Sequence, residues 1–199
     1  MSSTKYFDLN LTATTKKLYE YLNSTCLSHG SYLNPVKVDP FVHGWTDNTY
    51  NINGNPVPAI DESMPVIDNS YDAIRWNVKK TDWVSYDDRI GIPQLLYIEI
   101  VNLNPFGDNG DDYDKPMGKS DWKKYFLQDG ENGYSTPPNG RLYISPDEED
   151  TTSISVLISD SDKNNGIYAG FNVAFLLPVG EVNYCCIIDP VIDVKKSKD

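Results

Sequence analysis

Five Asn-Gly dipeptides punctuate this chain, at Asn53-Gly54, Asn109-Gly110, Asn132-Gly133, Asn139-Gly140 and Asn165-Gly166. Asn and Gly both tolerate positive φ, which the tight primed turns of β-hairpins require. Several of these pairs flank alternating or β-branched runs. The expectation is an all-β chain, an antiparallel β-sandwich with one short N-terminal helix and long loops.

A length of 199 residues suits one sandwich domain spanning 1–199, and it is long enough to bury a core without covalent staples. With 39% hydrophobic and 23% charged residues, the composition is that of a folding chain rather than a disordered one. A net charge of −12 repels phosphate backbones and anionic lipid, so nucleic acid and membrane surfaces are poor partners. There is no signal-peptide pattern after Met1 and no apolar run long enough to span a bilayer, so a cytoplasmic location is expected. Cys26, Cys185 and Cys186 make an odd count, which argues for free thiols rather than a disulfide framework. In a strand, the adjacent Cys185 and Cys186 point to opposite faces.

Residues 6–12 alternate, with Phe7, Leu9 and Leu11 on the apolar face and Tyr6, Asp8, Asn10 and Thr12 on the other. Residues 14–22 carry Leu18, Tyr21 and Leu22 at helical spacing, with Thr14 or Thr15 as N-cap. Residues 28–70 are rich in Pro, Gly, Asn and Asp and read as loops around one edge strand at 36–43. Further strands are expected at 72–78, 94–103, 141–145, 153–159, 167–177 and 182–188. Inward residues are expected to be Ile74, Trp76 and Val78, then Leu96, Ile98 and Ile100, then Val173, Phe175 and Leu177. Residues 104–121 read as a Gly/Asp-rich loop, and Pro178 to Glu181 as a turn. That makes about eight strands and one helix.

No nucleophile elbow, phosphate-binding loop or Cys/His metal motif is present. His29 and His43 lie in Gly-containing turns and read as structural. No catalytic residue stands out, and a non-enzymatic role is expected. The sequence demands no cofactor; calcium is the ion for which it offers donors. Asp160, Asp162 and Asn164 present oxygens at positions one, three and five of a loop, but position twelve is Phe171 rather than Glu. The same stretch makes an ordinary turn with Asn165-Gly166. Asp108 and Asp112 lie in a second acidic loop with looser spacing. Aromatic residues reach 12%, and Trp45, Trp83 and Trp122 stand in polar, loop-like settings. They either anchor loops or form a ligand platform, with a glycan as the natural guest.

At Ala73-Ile74-Arg75-Trp76, and at the strand Leu95-Leu96-Tyr97-Ile98, the chain resembles the bacterial PixA/AidA inclusion-body protein family. Its ending is similar too: Asn172-Val173-Ala174-Phe175, a turn at Val179-Gly180, then Tyr184 to Ile188 and Asp189-Pro190-Val191-Ile192. The strand and helix over 6–22 also fit. The resemblance implies an immunoglobulin-like sandwich and an abundant, non-catalytic bacterial protein associated with inclusion bodies, with self-association as its expected mode. It transfers no site residue. The runner-up reading is a carbohydrate-binding protein, with or without calcium.

Overall fold

The structure, a computed structural model, describes residues 3–13, 15–24, 29–38, 42–50, 56–58, 66–67, 71–78, 90–102, 117–148, 151–159, 167–188 and 191–194. For 12, 13, 15–17, 42–50, 56–58, 66–67, 102, 167–169 and 191–194 it is the backbone that is described.

Strand β1 (Tyr6–Ala13) leads into helix α1 (Thr15–Ser24). There follow β2 (Val36–Lys37), β3 (Val42–Tyr50), β4 (Pro56–Pro58), β5 (Val66–Ile67), β6 (Ala73–Val78) and β7 (Gln94–Asn102). After helix α2 (Lys119–Trp122) come β8 (Phe126–Gln128), β9 (Gly133–Ser135), β10 (Leu142–Ser145), β11 (Ser153–Ile158), β12 (Ile167–Val179), β13 (Val182–Ile188) and β14 (Val191–Val194).

The strands form two sheets. One has six strands in the order β4-β3-β1-β6-β11-β8. The other has eight, ordered β2-β13-β12-β7-β10-β9, with β14 on β12 and β5 on β14. The sheets are mixed rather than antiparallel, which corrects the expectation from the Asn-Gly turns. Strand β1 runs parallel to β6, β2 to β13, and β5 to β14. Local turn chemistry specifies hairpins, but it carries no information on how strands far apart in sequence meet.

The two sheets share one apolar cluster. Phe7, Leu9, Leu11, Ile74, Trp76, Ile154 and Val156 enter it from the six-stranded sheet, and Ile98, Ile100, Leu142, Ile144, Val173, Phe175 and Leu177 from the eight-stranded one. Trp76 meets Phe171 edge to face across the two, with ring centroids 5.5 Å apart. Leu18 and Leu22 of α1 close one flank, and the buried Tyr184 hydroxyl donates to the Leu22 carbonyl at 3.2 Å. The alternations expected for β1, β6 and β12 hold.

Strand β7 departs from the expected pattern. A bulge opposite Ala174/Phe175 shifts the register, so that Tyr97 pairs with Ala174 and Leu95 with Phe175. Leu95, not Leu96, therefore joins the core. One extra residue in a strand reverses the facing of everything before it.

The stretch expected as a strand at 36–43 is divided between sheets, β2 in one and β3 in the other. Strand β3 continues to Tyr50 through a region with no apolar alternation, held by its ladder to β1. Helix α2 begins inside the expected loop at 104–121. Of the Asn-Gly pairs, Asn139-Gly140 lies in the β9–β10 hairpin with Gly140 at φ 77. Asn132-Gly133 leads into β9, which begins at Gly133. Asn53-Gly54, Asn109-Gly110 and Asn165-Gly166 lie outside the described residues. The β12–β13 turn has Gly180 at φ 61 in its first central position, the type II′ arrangement.

Candidate functional site

The outer face of the six-stranded sheet is a polar network. Arg75 donates to both Asp8 oxygens, Nε to Oδ1 at 2.6 Å and Nη2 to Oδ2 at 3.0 Å, and its guanidinium lies over the Tyr6 ring. The Asn77 amide donates to Asp8 at 2.8 Å, and the Ser153 hydroxyl donates to Asn77. The Asp129 carboxylate accepts from Ser155 and Tyr6. The period-two pattern of β1 foretold this face. Two buried atoms in it have no hydrogen-bond partner among the described residues, Asn10 Nδ2 and the Oδ1 of Asn132, whose amide nitrogen donates to Ser155.

The eight-stranded sheet carries the more unusual arrangement. Glu99, in the middle of β7, is only 6% exposed. A lone carboxylate so placed would not stay ionised, because desolvation penalises the charge. The ladder supplies the remedy, since Tyr143 of β10 and Asn172 of β12 stand directly opposite Glu99 on its two sides. The Tyr143 hydroxyl donates to Glu99 Oε1, and the Asn172 amide donates to Oε2 at 2.5 Å. Arg141, just before β10, donates Nη1 to Oε1 at 2.9 Å. Burial pushes the Glu99 pKa up, but these three donors and the Arg141 charge outweigh it, and the net shift is downward.

Tyrosines surround the carboxylate. Tyr97 is two residues from Glu99 and shares its face. Its ring meets Tyr32 at 4.9 Å and Tyr143 at 5.6 Å between centroids. Burial, with the Glu99 charge second, pushes Tyr97 up to about 12. Tyr143 is raised by burial and by its bond to Glu99. Both phenols hold their protons at neutral pH.

Tyr32 reaches this face from the segment 29–34. That segment is pinned to β13, where the Cys185 N–H donates to the His29 carbonyl at 2.9 Å. The close approach requires Gly30, since a Cβ there would lie 2.6 Å from the Cys185 carbonyl, and its φ is +70. Cys185 and Cys186 are both free and buried, as the odd cysteine count suggested, and Cys26 lies outside the described residues. His29 packs its ring on Tyr184 at 5.0 Å.

The sequence-derived candidates lie elsewhere. Trp122 is not a platform: it is 0% exposed, stacked near Phe126, and its indole N–H donates to the Gly140 carbonyl at 3.0 Å. The amphipathic turn around it hides the ring, which composition alone did not reveal. Trp45 stands in β3 opposite Asn10 in register. Trp83, Asp108, Asp112, Asp160, Asp162 and Asn164 lie outside the described residues. Among the described residues, no three His, Cys, Asp or Glu side chains are grouped to hold a metal ion. No described helix is long and apolar enough to cross a membrane. Sequence reading missed the Glu99 cluster; its one sequence signal is an acidic residue inside the apolar run Leu95 to Val101.

The fold and this face define a predominantly β protein of two mixed sheets with a carboxylate held ionised at the centre of one of them. No protein-family model matches the chain, and no curated protein matches it. Among solved structures it is similar to the crystal structure of the inclusion body protein PixA from Burkholderia cenocepacia J2315, at 8% identity over 98% of each chain and a TM-score of 0.36.

Proposed function

We propose that this chain is a non-enzymatic protein of the inclusion-body type, a single immunoglobulin-like β-sandwich domain that self-associates when concentrated and resides in the cytoplasm. The observation that carries the non-catalytic reading is the saturation of Glu99. An acid or base in catalysis needs a pKa near the working pH and a free path to a proton. Glu99 is instead held ionised by three donors, and its tyrosine neighbours are held protonated. The patches that resemble the PixA/AidA family also support a shared scaffold rather than a shared reaction, for they fall on β6, β7, β12 and β13 and supply core residues such as Trp76, Ile98 and Phe175.

The mode of association follows from what is exposed. Among the described residues the outermost strands β2, β4, β5, β8 and β9 have two or three residues each, which blunts edge-to-edge pairing. The apolar knob at Tyr32 and Leu33, 57% and 92% exposed, is the better contact. Sedimentation equilibrium over a wide concentration range tests this. The average mass rises with concentration, and rises further with salt, which screens the repulsion between copies of charge −12. Leu33→Ser weakens the association. A monomer mass at every concentration and salt level overturns the proposal.

A further inference from the structure

The tyrosine-lined face around Glu99 has two polar atoms left over. Tyr97 is 7% exposed, yet among the described residues its hydroxyl has no hydrogen-bond partner. Asn172 spends its amide nitrogen on Glu99, an orientation the carboxylate dictates, and its Oδ1 has no partner among the described residues. One unused donor and one unused acceptor thus stand on the same face, on neighbouring strands. Beside them lies the exposed ring of Tyr32. The bulge lies just before Tyr97 and turns Leu95 into the core, while Tyr97 keeps the outward facing of Glu99.

The chemistry of this face selects its guest by exclusion. An anion would meet the field of a −12 chain and the Glu99 carboxylate. A cation would compete with Arg141, whose charge already neutralises Glu99 at 2.9 Å. A purely apolar guest would cover the Tyr97 hydroxyl and the Asn172 oxygen and leave both unpaired, at a cost of about 1–3 kcal/mol each. A neutral sugar presents hydroxyls that donate and accept, and an apolar C–H face for an aromatic ring. We propose that the outer face of the eight-stranded sheet, at Tyr32, Tyr97 and Asn172, is a binding site for a neutral, hydroxyl-rich oligosaccharide. The site is separate from the tryptophans and acidic loops that the sequence offered, needs no metal, and shares Tyr32 with the proposed self-association contact, so a sugar and a second copy compete for that ring.

The test is titration of the full chain, observed by NMR, with neutral tetrasaccharides (malto-, cello-, chito- and manno-series) at millimolar concentration, with an anionic uronic-acid tetramer as control. At least one neutral sugar shifts resonances of Tyr32, Tyr97 and Asn172, and the uronic-acid tetramer does not. Tyr97→Phe keeps the ring and the packing and weakens binding about tenfold, the loss of roughly one hydrogen bond. Tyr32→Ala, at an exposed turn, weakens it at least as much. The proposal is overturned if no neutral sugar shifts these residues, if shifts map elsewhere, if the anionic tetramer binds equally well, or if Tyr97→Phe binds as tightly as the parent.

Discussion

Replacing Arg141 by Met tests whether the Glu99 carboxylate is held by charge. Met keeps most of the aliphatic stem and removes the guanidinium, so packing is largely preserved. At 2.9 Å, unit charges attract by about 6 kcal/mol at an effective dielectric of about 20. The desolvation of Glu99 takes back much of that. Arg141 is also one-third exposed, which screens the pair further. Tyr143 and Asn172 still donate to the carboxylate in the variant. A net loss of about 1–3 kcal/mol at neutral pH remains. For a chain of this size that lowers the melting temperature by about 2–4 °C per kcal/mol.

The pH dependence separates this mechanism from simple loss of packing. The folded pKa of Glu99 lies below its unfolded value. Its contribution is therefore fully present above the unfolded carboxylate pKa and is lost as pH falls through the folded one. Without Arg141 the folded pKa rises. The stability gap between parent and variant is thus widest at neutral pH and narrows on acidification, because a protonated Glu99 needs no cation. Urea unfolding at a series of pH values reads this directly, and Glu99→Gln closes a double-mutant cycle. A gap that stays constant with pH, or strictly additive effects of the two substitutions, would refute the electrostatic account.

Three further outcomes are expected. Trp122→Phe destabilises by about 1–3 kcal/mol in chemical denaturation, mainly through the cavity it leaves, because the Gly140 carbonyl still accepts from the Met117 N–H at 3.0 Å. Gly30→Ala costs about 1–3 kcal/mol from strained backbone, and it releases Tyr32 from Tyr97, visible as a change in the Tyr32 ring resonances; unchanged spectra and stability contradict the close approach to Cys185. Tyr184→Phe costs about 1 kcal/mol and speeds amide exchange in α1, whose Leu22 carbonyl the hydroxyl holds; unchanged exchange would mean that the tie contributes nothing.

What the sequence determined by itself was local. Alternation set the inward faces of β1, β6 and β12 because side-chain direction in a strand has a period of two. Helical spacing set α1, and Gly180 set the β12–β13 turn because few other residues accept its φ. The tertiary structure decided the rest. The parallel pairing of β1 with β6 joins residues more than sixty positions apart, and nothing in either segment announces the partner. The bulge in β7 put Leu95 in the core in place of Leu96, since the insertion point depends on β12 across the ladder. Trp122 looked like a surface platform until the chain folded over it. Glu99 became a site only when β10 and β12 brought Tyr143, Asn172 and Arg141 to its two sides, for a buried charge is tolerable only where its partners converge from elsewhere in the chain.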